Sequence, residues 1–301
     1  MKVGIGLPNG GLRVDAESLV RLAVDAETLG LDSVWALDRW LRPHAPVTMP
    51  GVPVPITMPP ESYATVFDPL ETLSFIAART SRIMLGTSAI NVLYHPPVLL
   101  AKRLATLDRL SGGRVIAGVT SGWMAEEFAV AGVPRTRMGD GFDDHLAAMR
   151  AVWGPDPVVH NGKYYPIPKS DIGPKPARPG GIPLVAGYVT EAGLRRAARI
   201  ADGLHPYRDN FDDLAADLAL WRETTEAAGR AWDSMPVVLR CTGSLRPAQG
   251  KLFSGSVMEW VEDLARLDEL GVDHVFVQFG PEMGLDATLD VFSRVLTAAG
   301  R

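Results

Sequence analysis

The side chains best suited to chemistry exclude several reaction classes by their spacing. The six histidines, His44, His95, His145, His160, His205 and His274, form neither a His-x-His pair nor a His-Glu-x-x-His run, so a metal-dependent hydrolase is poorly supported and no metal site is expected. There is no Gly-x-Ser-x-Gly elbow and no phosphate loop ending in Gly-Lys-Ser/Thr, which removes the commonest nucleophile and nucleotide signatures. Gly4-Ile5-Gly6 followed by Gly10-Gly11 has the wrong spacing for a dinucleotide fingerprint. Cys241, the single cysteine, lies in an apolar run and reads as a packed small side chain rather than a nucleophile.

What remains are polar and charged residues at the ends of apolar runs. Asp38-Arg39 follows Ser33–Leu37. Arginine stays protonated and cannot act as a base at neutral pH, so Arg39 reads as an anion binder or as half of a structural ion pair with Asp38. His44, five residues on, is a spare proton-transfer candidate, although a lone loop histidine is more often simply exposed. Glu126-Glu127 reads by default as a solvated acidic face, and Arg195, Arg196 and Arg199 as surface charge. Asn91 is either a ligand contact or a turn former.

The elements that must position these residues repeat a pattern: a short apolar run, a turn, an amphipathic stretch. The strands are Val3–Leu7, Ser33–Leu37, Ile83–Asn91, Arg114–Val119, Leu184–Gly187, Gly203–Pro206, Pro236–Thr242 and Val272–Phe279. Their helices are Asp15–Leu29, Pro69–Arg79, Val98–Leu110, Gly139–Val152, Thr190–Ala201, Phe211–Ala228, Val257–Leu270 and Leu285–Ala299. Asp68 ahead of Pro69 predicts a helix start, and Gly30 a C-cap. Strands buried on both faces and alternating with helices favour a parallel sheet, and eight units favour a (β/α)8 TIM barrel over an open doubly wound sheet. A chain of 301 residues fits one such barrel domain over 1–301. Two segments break the rhythm. Positions 43–60 hold seven prolines, giving either an ordered surface loop or a wall at the barrel mouth. Residues 154–183 read as a covering insertion in which Tyr164 and Tyr165 need a surface to pack on.

With 47% apolar and 22% charged residues, the chain can build a large core. No run approaches a membrane span, no export signal precedes the first strand, and a lone cysteine fits a reducing compartment, so a cytoplasmic location is expected. A net charge of −5 argues weakly against nucleic-acid binding.

Residues 82–128 carry a resemblance. Arg82-Ile83-Met84-Leu85-Gly86-Thr87-Ser88-Ala89-Ile90-Asn91 is followed by His95-Pro96-Pro97-Val98-Leu99-Leu100-Ala101-Lys102. Then come Leu104-Ala105-Thr106-Leu107-Asp108-Arg109-Leu110-Ser111-Gly112-Gly113-Arg114 and Gly118-Val119-Thr120-Ser121-Gly122-Trp123-Met124-Ala125-Glu126-Glu127-Phe128. Further collinear pieces are Leu29-Gly30-Leu31-Asp32-Ser33-Val34-Trp35, Pro174-Lys175-Pro176 and Ala192-Gly193-Leu194-Arg195-Arg196-Ala197-Ala198-Arg199. The run resembles the bacterial luciferase-like monooxygenase and oxidoreductase family, and within it the branch that uses the deazaflavin coenzyme F420.

The resemblance implies a (β/α)8 barrel holding F420, or alternatively FMN, at the carboxyl ends of its strands. It implies a bulge in the third strand with a non-prolyl cis peptide at Ser88–Ala89 behind the ring. Further cofactor contacts would come from Asn91, Thr120, Ser121, Gly187, Tyr188, Val189 and Thr190, where a helix start suits a phosphate or is a plain N-cap. Relatives in the F420 branch carry Asp-His where this chain has Asp38-Arg39, and some carry glutamate at Trp123, so their sugar-dehydrogenase mechanism does not transfer. Asp38, Arg39, His44 and Trp123 remain the catalytic candidates. The expected activity is hydride transfer between F420 and a small organic substrate. The alternatives are an FMNH2-dependent monooxygenase served by a reductase and a non-catalytic flavin-binding protein. A homodimer is expected from the same resemblance.

Overall fold

The computed structural model describes residues 1–12, 14–280 and 282–301. Among them are eight strand–helix units: β1 Lys2–Gly6, α1 Ala16–Leu29, β2 Ser33–Ala36, α2 Pro69–Ala77, β3 Met84–Thr87, α3 Pro97–Ser111, β4 Val115–Thr120 and α4 Asp140–Trp153. The second half supplies β5 Leu184–Ala186, α5 Glu191–Ile200, β6 Gly203–Leu204, α6 Phe211–Ala227, β7 Val238–Gly243, α7 Val257–Glu269, β8 His274–Phe279 and α8 Leu285–Ala298. The strands pair in parallel in the order β6-β5-β4-β3-β2-β1-β8-β7. The two ends meet through bridges Leu204–Val237 and Tyr207–Arg240, with the Leu204 N–H on the Pro236 carbonyl and the Arg240 N–H on the Pro206 carbonyl, both at 2.9 Å. The sheet is therefore a nearly closed barrel, not an open doubly wound sheet.

Alternation along the strands decides what faces where. On β1, Val3 and Ile5 join the large cluster shared with the helices, while Gly4 and Gly6 face inward. A Cβ on Gly4 would fall 2.0 Å from Ser33 Oγ, and one on Gly6 2.8 Å from Gln278 Cβ. The barrel interior is filled by Trp35, Ile116, Val185, Val238 and Phe276, a packed plug rather than a pore. Trp35 stacks on Phe276 at 4.6 Å and on His205 at 5.5 Å. Its indole N–H donates to Ser33 Oγ at 2.7 Å, and Ser33 Oγ lies 2.6 Å from His274 Nε2. These three polar atoms of the interior thus have partners.

Helix ends follow the sequence signals. Asp15 and Asp68 accept N–H groups of the first turns of α1 and α2, and Gly30 takes the left-handed conformation at φ 88°. Arg114 accounts for part of the Ser-Gly-Gly-Arg run. Its guanidinium donates to the carbonyls of Ala77, Thr80, Ile83 and Ser111, tying the ends of α2 and α3 to the start of β3.

The expected single strand Ile83–Asn91 is two pieces, because β3 stops at Thr87 and a short stretch, Ile90–Asn91, resumes against β4. Gly86 faces Ile116 and Ile90 faces Val119, so four steps on one strand oppose three on the other, a one-residue bulge. The Ser88–Ala89 peptide within it is cis, and the Ser88 N–H still donates to the Ala36 carbonyl at 2.8 Å.

Both irregular segments are ordered. The 43–60 loop closes on itself through Val47 and Ile56, paired at 2.8 and 2.9 Å, and its Val47 and Met58 pack on Met124 beside Tyr63 and Trp123. In the 154–183 insertion, Val158–His160 pairs antiparallel with Ile167–Ser170. Asp144 on α4 accepts the backbone N–H groups of Tyr164 and Tyr165 and contacts His160, and Tyr165 meets His145 edge-on at 5.0 Å.

Gly86 faces Trp35 so closely that a Cβ would lie 2.2 Å from the indole. That ring is fully buried and stacked, so it cannot yield. Gly86→Ala should destabilise the chain by about 2–3 kcal/mol in urea unfolding; an unchanged midpoint would show that the plug is loosely packed.

Candidate active site at the carboxyl ends of the strands

The loops leaving the strands enclose a cleft of about 710 Å3 including its open mouth, lined by residues from both halves of the barrel. Its geometry begins at the exit of β2. Asn9, fully buried, donates to the Leu37 and Phe67 carbonyls at 2.7 and 2.9 Å and accepts the Leu37 N–H at 2.9 Å. Its side chain thereby acts as a strand edge for Leu37, and it sets the direction in which Asp38 and Arg39 leave the sheet.

Asp38 lines the cleft. Burial first, then the neighbouring Glu127 and Asp68 carboxylates, push its carboxyl from 3.8 up to about 7, while the Asn91 backbone and Arg39 pull the other way. A carboxyl so placed exchanges its proton near neutrality. Arg39 does not pair with Asp38. Its Nη1 is 2.9 Å from Glu127 Oε2, and its guanidinium lies 5.2 Å from the Trp123 ring and 6.0 Å from that of Tyr63. Glu127 also accepts the Trp40 N–H at 2.9 Å. The default reading of Glu127 as part of a solvated acidic face is therefore corrected: it is 5% exposed because the short helix Ala125–Ala131 turns it inward onto two donors.

The adjoining wall is the β3 bulge. Ser88 Oγ lies 3.0 Å from His205 Nε2, and His205 Nδ1 lies 2.7 Å from the Val238 carbonyl. The carbonyl can only accept, so Nδ1 carries the hydrogen and Nε2 receives the Ser88 hydroxyl. Burial holds His205 down to about 4, keeping it neutral in this role. Asn91 caps the short turn Val92–Tyr94 and lines the same cleft. Its Oδ1 accepts the Leu93 N–H at 3.3 Å, and its Nδ2 is enclosed without a partner. Gly122, at φ 79°, lets the loop after β4 pass this amide, since a Cβ there would fall 1.8 Å from Nδ2.

Of the residues singled out from sequence, Asp38, Arg39, Ser88, Ala89, Asn91, Thr120, Trp123, Gly187 and Tyr188 line this one cleft. His44 is exposed on the proline-rich loop, and His44, Ser121, Val189 and Thr190 are not among the lining residues. Thr190 is exposed and its Oγ1 accepts the Gly193 N–H at 3.2 Å, the arrangement of a plain N-cap. Sequence reasoning missed Glu127, His205, Tyr207 and Arg240. Each ends or follows a strand or begins a short helix, the positions from which a barrel builds its site, but nothing in their local pattern separates them from surface charge or core. Cys241 is buried and its thiol is pushed up by burial, as a packed, inert side chain should be.

Because Asn9 makes three buried hydrogen bonds to backbone, Asn9→Ala should cost about 2–4 kcal/mol in denaturant unfolding. It should also loosen Asp38. A stable variant with Asp38 still titrating near neutrality would refute this positioning role.

The comparisons with known proteins bear on the family and the fold. A family model described as luciferase-like monooxygenase matches residues 1–249. An uncharacterised protein of Mycobacterium tuberculosis is 35% identical over 221 residues, 73% of this chain and 72% of its own length. An F420-dependent glucose-6-phosphate dehydrogenase of Amycolatopsis mediterranei is 31% identical over 208 residues, 64% of this chain and 56% of that one. The solved coenzyme F420 dependent tetrahydromethanopterin reductase of Methanopyrus kandleri superposes with a TM-score of 0.79 over 99% of both chains at 19% identity, a likeness of fold. With the matched region running through β7, the chain belongs to the luciferase-like monooxygenase family.

Proposed function

We propose that this chain is a coenzyme F420-dependent oxidoreductase acting on a small organic substrate, with Asp38 as its proton-transfer group. The observation that carries the reading is the cleft at the carboxyl ends of the strands, in which Asp38, raised towards neutrality by burial and the Glu127 carboxylate, lies beside the β3 bulge. Residues that would hold the coenzyme are Ser88, Ala89, Asn91, Thr120, Gly187 and Tyr188, with Ser121, Val189 and Thr190 towards its tail. Bound there, the coenzyme would supply the donor or acceptor of the hydride.

The chain's own residues supply the rest. The Ser88 hydroxyl is held by His205, which fixes the wall against which a flat ring would rest. Trp123 and Tyr207 border the cleft and restrict water. Arg39 is neutralised by Glu127 and keeps Trp123 in place. Asp38 can give or take a proton at its carboxyl oxygen, replacing the histidine that the F420-branch resemblance would have supplied next to it. A poised acid of this kind favours an enzyme over a non-catalytic binding protein. The family description favours a second reading, a monooxygenase, for which FMNH2 delivered by a reductase would be the cofactor. The setting we infer is a cytoplasmic homodimer with one barrel domain over 1–301; among the described residues no helix is long and apolar enough to cross a membrane.

Absorbance and native mass after mixing with each coenzyme separate the two readings. F420 should bind with 1:1 stoichiometry and tighter than FMN; retention of FMN instead, with oxygen uptake from its reduced form, would replace the proposal by the monooxygenase.

Asp38→Asn should lower kcat by about 10²–10⁴-fold with coenzyme affinity unchanged, and should erase the inflection near pH 7. Stability tests the same group. The folded chain keeps the Asp38 proton up to about 7, whereas the ordinary value is 3.8. The contribution of Asp38 is therefore most favourable in acid and is lost as pH rises from about 4 through 7. Asp38→Asn should remove that slope from the unfolding free energy, and an identical slope in both proteins would place the titration elsewhere.

A further inference from the structure

The charges around the cleft do not balance within the chain. Arg39 has Glu127 at 2.9 Å, and Arg208 has Asp217 at 2.7 Å. Both acids are otherwise engaged: Glu127 accepts the Trp40 N–H, and Asp217 accepts the Tyr188 hydroxyl. Arg240, on β7 and lining the same cleft, has no carboxylate partner among the described residues. Its Nη2 donates to the neutral Gln278 amide oxygen at 2.8 Å, its guanidinium lies 5.1 Å from the Tyr207 ring, and its Nε is enclosed without a partner. Arg39 stands near enough to add like-charge repulsion. The acid left over is Asp38, which sits by the bulge and retains its proton through much of the acid range.

Arginine cannot escape by losing its proton, and a desolvated charge without a counter-ion destabilises a fold. Neither the amide nor the aromatic face neutralises it. The missing partner is therefore something that enters the cleft.

We propose that the substrate carries a carboxylate and that Arg240 receives it, a specificity-determining contact that rests on reading this cleft as the substrate site. One guanidinium is left without a carboxylate at contact distance, which a substrate carboxylate matches one for one, whereas a phosphate monoester brings nearly two negative charges. The planar guanidinium fork suits carboxylate geometry. Arg240 lies beside Tyr207 and close to Arg39 and Tyr63, on a strand four places from β3 in the barrel order, so the carboxylate would anchor one end of the substrate and leave the other free within the cleft that Asp38 also lines.

Binding is measured by tryptophan fluorescence and thermal shift, at matched ionic strength, on the full chain with and without F420. The probes are propionate, benzoate, their neutral amides and inorganic phosphate. The expected result is that carboxylates bind about tenfold or more tighter than the amides and than phosphate, with or without F420. Arg240→Gln should lose that preference, Arg240→Lys should keep part of it, and coenzyme affinity should hold in both. Arg240→Met, which removes the isolated charge, should melt higher than wild type in the absence of ligand. If Arg240→Gln does not fold, the wild-type panel and Arg240→Lys decide. Equal binding of acids and amides, a preference for phosphate, a carboxylate preference that survives in Arg240→Gln, or displacement of carboxylate by F420 would each overturn the proposal. An Arg240-dependent carboxylate preference without any F420 binding would uphold it while removing the coenzyme reading.

Discussion

The carboxylate of Glu127 is the point on which the mouth of this barrel depends. It accepts the Trp40 N–H and the Arg39 guanidinium, and so holds the loop leaving β2 against the short helix that follows β4. Those two contacts occupy a buried charge with two donors, the condition under which such a charge is tolerated. The same carboxylate acts through space on Asp38 and helps raise it towards neutrality. One side chain thereby neutralises one neighbour, anchors a second and tunes a third.

Below that mouth the barrel is rigid for a different reason. The interior is closed by Trp35, Phe276 and His205, whose rings all stack on one another, with glycines at Gly4, Gly6 and Gly86 making room for the rings and their neighbours. His205 belongs to both layers: one face packs on the indole, while its edge holds the Ser88 hydroxyl. The wall of the cleft is therefore fixed by the core beneath it, which is how a site on loops acquires the precision of a packed interior.

The departure from the Asp-His pair of the F420 branch takes on physical meaning in this setting. Replacing histidine by Arg39 removes a titrating group but does not leave the site without one, because burial and neighbouring acids bring the preceding Asp38 into the useful range. Arg39 itself is consumed by Glu127. The chemistry moves by one residue, and the price is a second arginine, Arg240, whose charge the chain leaves unmatched.

Much of the architecture was legible in the residues themselves. All eight strand–helix units, the caps at Asp68 and Thr190 and the cis bond at Ser88–Ala89 followed from period, turn chemistry and the resemblance, since each is encoded within a few neighbouring positions. The order Asp38, Ser88, Asn91, Thr120, Trp123, Gly187 along the chain likewise marked the ends of successive strands that a barrel must gather. What local pattern did not contain was partnership. That Arg39 meets Glu127 rather than Asp38, that burial and neighbouring acids push Asp38 up to about 7, that Gly86 accommodates a core indole, and that Arg240 stands without a counter-ion are relations between residues tens to hundreds of positions apart. Sequence determined which elements form and in what order; only closure of the barrel decided which side chains face one another, because charge and burial are properties of the folded surroundings and not of the residue.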